Sequence, residues 1–304
     1  MTVKRKRALI LLNISSGTGR APLFVMEIIK RFAKNGFEPV IFPIIPGSDL
    51  ISEKILPEYE NSADIVLCIG GDGTLNHVIQ TIMRQDVRPL LAYVPMGSTN
   101  DFAKGLGIST EPEKALDMVF SGRKFSYDIG RLNERFFNYV AAFGAFSAVS
   151  YATDQQLKNV LGHAAYIISA IGDFTEHLRY NCHLKITTED GTEEGDYIFG
   201  AVCNTVSVGG FPLFRSTNIQ LNDGKMELFL IKSPKTAADL QETLNAVLTR
   251  TFDSPSITFK QVSAVSLSAD SDIAWTLDGE YGGAYKEVRI EVQKQAISIM
   301  SGLE

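Results

Sequence analysis

An α/β domain built on a parallel sheet, followed by a mainly antiparallel β-sandwich domain, is the fold that the 304-residue chain predicts. In the first third, short apolar runs alternate with amphipathic stretches of helical spacing, the signature of a parallel sheet with helices on its faces. From about Tyr127 the texture changes to short strand candidates separated by turn residues, which reads as antiparallel β structure. With 45% apolar residues the chain can bury a sizeable core, and its length suits two domains, 1–127 and 128–304, sharing one cleft.

Residues 8–12 are apolar throughout and read as a buried strand, 23–34 as an amphipathic helix, 37–43 as a strand and 64–69 as another buried strand. A helical pattern over 74–83 follows a glycine-rich turn, 90–94 is a further strand, and 100–105 opens a helix after a second polar turn. Both turns fall at the carboxyl ends of strands, where open α/β sheets bind their ligands. In the second half, 135–139, 183–187, 197–204, 226–231, 256–259, 264–268 and 288–292 are strand candidates, interrupted by helical stretches at 155–159, 164–179 and 236–248. No internal repeat or low-complexity segment is present.

A formal net charge of −6 argues against a nucleic-acid partner. Lys4, Arg5, Lys6 and Arg7 form a local basic patch, either a solvated tail or a contact for anionic lipid headgroups worth on the order of 1 kcal/mol per charge. The apolar run behind it stops at Asn13, too short for a signal-peptide core or a membrane span, so the expectation is a cytoplasmic protein that visits the membrane transiently. A homodimer is compatible with the sequence. Cys68, Cys182 and Cys203 lie in apolar stretches without metal-type pairing, and His77, His163, His177 and His183 show no ligand spacing. Trp275, Phe211 and Phe214 read as core aromatics.

The chemistry concentrates in Gly70-Gly71-Asp72-Gly73-Thr74-Leu75-Asn76, which leaves a buried strand and opens a helix. Backbone N–H groups at such a turn point at an anion, helped by the helix dipole, and glycine lets the backbone approach closely. The Asp72 carboxylate would repel phosphate unless it holds Mg²⁺ or the attacking hydroxyl. Neither a G-x-x-x-x-G-K-[ST] loop nor a G-x-G-x-x-G after the first strand occurs, which weighs against P-loop and Rossmann dinucleotide schemes.

Taken with Pro95-Met96-Gly97-Ser98-Thr99-Asn100-Asp101-Phe102-Ala103, this stretch closely resembles the diacylglycerol kinase catalytic domain of bacterial soluble lipid kinases and sphingosine kinases, a fold shared with NAD kinases. The resemblance runs over nearly the whole chain. It implies ATP on Asn13, Ser15, Ser16 and Gly17, on Gly70 to Asn76, and on Gly97, Ser98, Thr99 and Asn100. It implies Mg²⁺ and water organised by Asp72, Asp101 and Asp128, the last in the junction Tyr127-Asp128-Ile129-Gly130. It further implies a structural Mg²⁺ on Asp223 and the carbonyls of Gln220 and Lys225, although Asn222-Asp223-Gly224 is by itself a good hairpin turn. Glu280, in Leu277-Asp278-Gly279-Glu280, matches the base that takes the proton of the lipid hydroxyl. Ile14 and Ser15 stand where relatives often carry proline, Ile44 where a threonine near the nucleotide is common, and Ser98 where threonine is common. The expected activity is ATP-dependent phosphorylation of a lipid hydroxyl, most simply diacylglycerol to phosphatidic acid. An NAD kinase-type reaction on a ribose hydroxyl and a non-catalytic lipid-binding relative are the alternatives.

Overall fold

The structure, a computed structural model, describes residues 5–16, 24–98, 100–144, 181–205, 207–208, 211–212, 219–249 and 254–303. The helical candidates 155–159 and 164–179, the histidines His163 and His177, Phe214, and the nucleotide candidates Gly17 and Thr99 lie outside these residues. The chain forms two compact units, Met1–Tyr127 with Gln295–Glu304, and Asp128–Lys294.

In the first unit β1 (Lys6–Asn13) lies between β2 (Phe37–Ile44) and β3 (Ile65–Gly70), and β4 (Leu90–Pro95) pairs with β3; every one of these pairings is parallel. Ala8 to Leu11 and Val66 to Ile69 have no exposed surface, because helices cover the sheet and no polar side chain is needed on either face. β2 ends the sheet among the described strands and carries Pro39 and Pro43.

The helices are α1 (Val25–Lys34), which buries Ile28 and Phe32, α2 (Ser52–Tyr59), α3 (Asp72–Ile82), α4 (Asp101–Gly105) and α5 (Pro112–Ser121). The sequence reading omits α2 and α5. α2 is eight residues long with Pro57 inside it, and α5 is marked mainly by a proline in its first turn. Phe32 of α1 and Phe120 of α5 meet edge to face at 4.9 Å, seating both helices on one side of the sheet.

The last ten residues correct the expected boundary, because they pack with the first unit. The end of β15 (Glu280–Ser301) runs parallel to β4, with Ile299 beside Leu91. Ile297 and Ile299 are buried there, and Ser301 Oγ and the Gly302 N–H both donate to the Leu106 carbonyl, at 2.9 and 3.1 Å.

In the second unit β5 (Arg123–Leu132), which brings the chain in, turns at Asn133 (φ +49°) onto β6 (Arg135–Phe137). The unit continues through β7 (Val140–Gly144), β8 (Cys182–Thr188), β9 (Gly191–Cys203), the two-residue strands β10 (Ser207–Val208) and β11 (Phe211–Pro212), and β12 (Met226–Lys232). α6 (Ala237–Thr249), β13 (Ile257–Val262) and β14 (Ala264–Leu277) precede β15.

Pairing is antiparallel, but the unit is not the pair of separate sheets that a sandwich implies. β9 pairs with β8 over one half and with β7 over the other, and β14 does the same, so these four strands close on one another as a single folded sheet. A register shift between Ser268 and Ile273 lets β14 bend between its two partners. Leu184, Ile186, Val202, Leu228, Leu230 and Trp275 fill the core inside, with the Trp275 and Phe143 rings 4.9 Å apart. Cys68, Cys182 and Cys203 are free thiols.

Candidate active site

Three loop segments converge at the carboxyl edge of the parallel sheet. Asn13 ends β1 and donates through Nδ2 to Thr74 Oγ1 at 2.7 Å, while its Oδ1 and carbonyl accept the N–H groups of Ser15 and Ser16 at 3.0 and 3.2 Å. One side chain therefore fixes the first loop and ties it to the second. The Gly70 carbonyl, at the end of β3, accepts Tyr93 Oη at 3.1 Å and the Met96 N–H at 2.7 Å, which fixes the second loop to the third.

Gly71 is the N-cap of α3 and supplies no capping side chain. The Leu75 N–H donates to the Gly71 carbonyl as the first bond of the helix, so the N–H groups of Gly73 and Thr74 just before it have no partner within the helix. Leu75 is fully buried, which makes it a seat for the helix in the core, and Asn76 is buried as well.

The third loop touches the second along bare backbone. A Cβ built on Gly97 would lie 2.8 Å from Gly71 Cα, so the approach demands glycine at 97, while a Cβ on Gly71 would make a tight 3.3 Å contact with Gly97 Cα. Asn100 holds this loop in a ring: its Oδ1 accepts the Gly97 N–H at 2.9 Å and its Nδ2 donates to the Gly97 carbonyl at 2.8 Å. Asn100 adopts φ +55°, a left-handed conformation that asparagine tolerates better than most residues. Ser98 is exposed, and Ile44, buried, sits in register beside Asn13 at the end of β2.

Next to this junction Asp72 Oδ2 accepts the Asp101 N–H at 3.3 Å. Burial, reinforced by the charge of Asp101, pushes the Asp72 carboxyl up to about 6. Its Oδ1 is buried without a hydrogen-bond partner. A buried carboxylate oxygen lacking a donor, beside a second carboxylate, is a donor set that suits a hard cation such as Mg²⁺.

The second unit holds the remaining candidates. Asp128 is fully buried; its Oδ2 accepts the Gly224 N–H at 2.6 Å, and its own N–H donates to the Leu221 carbonyl at 3.0 Å. The Asp223 turn and Asp128 are thus joined directly. Asp223 Oδ1 caps its own turn by accepting the Lys225 N–H at 2.8 Å, and Gly224 has φ +87° with the Lys294 stem packed against it. Gln220 and Lys225 flank this turn. Among the described residues no group of three or more His, Cys, Asp or Glu side chains gathers as a metal site.

Glu280 is exposed and opens β15 directly after a turn formed by Asp278 (φ +51°) and Gly279 (φ +88°). The Asp278 carboxylate accepts three backbone N–H groups, from Asn138, Tyr139 and Val140, at 2.6, 2.9 and 3.0 Å.

Asp278 and a further buried carboxylate, Glu227 on β12, escape the sequence reading as site residues. The signal for Glu227 is an acid in the otherwise apolar run Met226-Glu227-Leu228-Phe229-Leu230-Ile231. Of the described histidines, His77 bonds Glu53 and His183 lies between Glu194 and Asp196; the latter pair pushes the exposed His183 up to about 8.

The profile of the family described as "Diacylglycerol kinase catalytic domain" matches residues 7–132, which include the three loops and Asp128. A "Diacylglycerol kinase" of Staphylococcus saprophyticus is 30% identical over 279 residues, covering 92% of this chain and 90% of its own length. One of Staphylococcus carnosus is 29% identical over 281 residues, covering 92% and 90%. Two solved structures from Bacillus anthracis str. Sterne share the fold. One superposes with TM-score 0.80 at 21% identity over 99% of this chain and 97% of its own. The other, described as a diacylglycerol kinase, gives 0.74 at 17% identity over 99% and 98%. With relatives of this identity along almost its entire length, and with the loops that carry the match brought into contact, the chain belongs to the diacylglycerol kinase family and is a lipid kinase.

Proposed function

We propose that the chain transfers the γ-phosphoryl group of ATP to the hydroxyl of a membrane lipid, with diacylglycerol as acceptor and phosphatidic acid as product. The observation that carries this reading is the contact between Gly71 and Gly97, which brings a helix N-terminus without a side-chain cap and two carboxylates to one sheet edge. Phosphoryl transfer asks mainly for positioning and charge neutralisation, and backbone N–H groups serve the first need.

In this reading the phosphates rest against Gly70, Gly71, Gly73 and Thr74, with Asn13, Ser15 and Ser16 on one side and Gly97, Ser98 and Asn100 on the other. Bound Mg²⁺, held by Asp72 and Asp101, would offset the charge of the β- and γ-phosphates. The Asp223 turn keeps Asp128 in place through the Gly224 N–H. Glu280 accepts the proton of the lipid hydroxyl as its oxygen bonds the γ-phosphorus, and ADP leaves as the bond to the β-phosphate oxygen breaks. The lipid is reached from the membrane surface; no helix among the described residues is long and apolar enough to cross a membrane.

The test is transfer of radioactive γ-phosphate from ATP onto micelle-dispersed diacylglycerol, phosphatidylglycerol, polyprenol and a sphingoid base, with NAD as a further acceptor. Label in phosphatidic acid is the expected result. Label confined to another lipid corrects the acceptor, and label on NAD alone overturns the reading.

A further inference from the structure

Tyr93 keeps 2% of its surface exposed on β4, and its hydroxyl reaches the backbone carbonyl that ends β3 and begins the glycine turn. Its strand partner is Cys68, so the hydroxyl extends two residues farther along β3 to meet Gly70 at 3.1 Å. The Gly70 carbonyl already accepts the Met96 N–H at 2.7 Å. Tyr93 is therefore a second donor on an oxygen that the sheet has satisfied, and phenylalanine would fill the same space without orphaning that carbonyl.

What a second donor adds is orientation. The peptide between Gly70 and Gly71 is flanked by the two residues with the freest backbone, and a side chain cannot stiffen it at 70, where a Cβ would lie 2.7 Å from Thr74. No cis bond occurs among the described residues, so the Gly70 carbonyl and the Gly71 N–H point opposite ways. β3 lies between β4 and β1. With the carbonyl drawn to β4 by Tyr93 and Met96, the Gly71 N–H is turned toward the β1 side, where the Asn13 loop begins. The ring that carries the hydroxyl is itself seated: Tyr93 meets Phe102 edge to face at 6.4 Å, and Phe102 meets Tyr127 in the same way at 5.2 Å. Phe102 directly follows Asp101. One buried aromatic ladder inside the first unit thus backs both the glycine turn and the Asp101 loop.

We propose that Tyr93 is a positioning residue for the nucleotide phosphates: its hydroxyl holds the peptide between Gly70 and Gly71 so that the Gly71 N–H points at the ligand. This role rests on reading the Gly70–Asn76 turn as the phosphate cradle. Tyr93 does not touch ATP and acts through the Gly70 carbonyl. An N–H that meets a phosphate equally before and during transfer contributes uniform binding, so its misplacement raises KM and leaves kcat nearly unchanged.

The experiment compares the full chain with Tyr93→Phe, which deletes one oxygen, and with Ser301→Ala, which deletes another buried hydroxyl of the same unit, one that donates to the Leu106 carbonyl at 2.9 Å. ATP with MgCl2 is titrated by calorimetry, kcat and KM for ATP are measured with the lipid acceptor that the transfer assay identifies, and Tm is recorded for each protein. Tyr93→Phe should raise Kd and KM for ATP by about three- to tenfold, the usual worth of one neutral hydrogen bond, with kcat within twofold of the parent. Ser301→Ala should lower Tm and bind ATP as the parent does. If Tyr93→Phe folds poorly, Phe102→Leu, which keeps the hydroxyl and slackens its support, should shift Kd the same way by a smaller factor. Tyr93→Phe binding ATP within twofold of the parent overturns the role of Tyr93 and leaves the phosphate cradle standing, as does an equal loss in Ser301→Ala. A parent that binds no ATP overturns the cradle and the role together.

Discussion

The Asp278 carboxylate accepts the backbone N–H of Asn138 at 2.6 Å, across 140 residues of chain. It accepts the next two amides as well, and its own N–H donates to the Val140 carbonyl at 2.8 Å, so one side chain ties the start of β7 to the turn that presents Glu280. Asp278→Ala would leave three buried donors without an acceptor, at a cost on the order of 3 kcal/mol or more. Chemical denaturation should register that loss, with Asp278→Asn between the two because it keeps a single acceptor oxygen. In the Asn variant, single-turnover phosphorylation should slow while ATP affinity holds, since the displaced group is Glu280. Unchanged stability in Asp278→Ala would mean that these amides find other partners.

Gly97→Ala places a methyl group 2.8 Å from Gly71 Cα, where the opposing atom is backbone and cannot turn aside. The loops must separate, which costs about 1–3 kcal/mol by comparison with overpacked sites. ATP affinity should fall at least tenfold by calorimetry, whereas Ser98→Thr, on an exposed position that keeps its hydroxyl, should bind as wild type does. Equal affinity in Gly97→Ala would separate this junction from nucleotide binding.

Asp72 gives a pH signature in the absence of metal and nucleotide. Its carboxyl, raised from 3.8 to about 6 by burial and by Asp101, keeps its proton in the folded state at pH values where the unfolded chain has lost it. The folded state therefore binds more protons in that window, and stability falls as pH rises from about 4 to about 6. Asp72→Asn removes the effect. It should match wild type near pH 4 and exceed it by roughly 1–3 kcal/mol above pH 7, with lipid phosphorylation abolished. A parallel pair of stability profiles would show that Asp72 ionises freely in the fold.

Glu280→Gln preserves shape but cannot accept the lipid proton. kcat should drop by roughly 10²–10⁴-fold, the usual worth of a general base, while ATP affinity stays within a few-fold. Near-normal turnover on the lipid would remove Glu280 from the chemistry. Pre-steady-state measurement is needed, because slow product release can mask a chemical defect.

Much of the first unit is legible because β1, β3 and β4 are buried on both faces and so spell themselves as apolar runs, and because the turns after β3 and β4 announce their chemistry in glycine, asparagine and aspartate. The expected start of α3 at Thr74 was two residues late, since Asp72 and Gly73 already belong to the helix. β15 is largely hidden: only 288–292, where Arg289 and Glu291 alternate with buried Val288 and Ile290, reads as strand out of 22 residues, because Gly282 and Gly283 interrupt its start and Gln295 takes φ +49° within it. The partners that make Asp278 an anchor and Glu227 a buried charge lie on other strands. No local pattern reports a hydrogen bond to Asn138 or an amide on Gln261.

Among the described strands β2 ends the parallel sheet, and that bears on how the protein behaves in a crowded solution. An open strand offers a row of unused N–H and C=O groups to any extended chain that drifts past, and Val40, Ile41 and Phe42 would make that edge adhesive. Pro39 and Pro43 lie four residues apart and therefore share one parity. On an edge strand the missing N–H groups fall on the open side, where β1 does not need them. A strand arriving from another molecule would find its ladder interrupted at both points. The two prolines leave the pairing with β1 intact while breaking the ladder that the other side of β2 would offer.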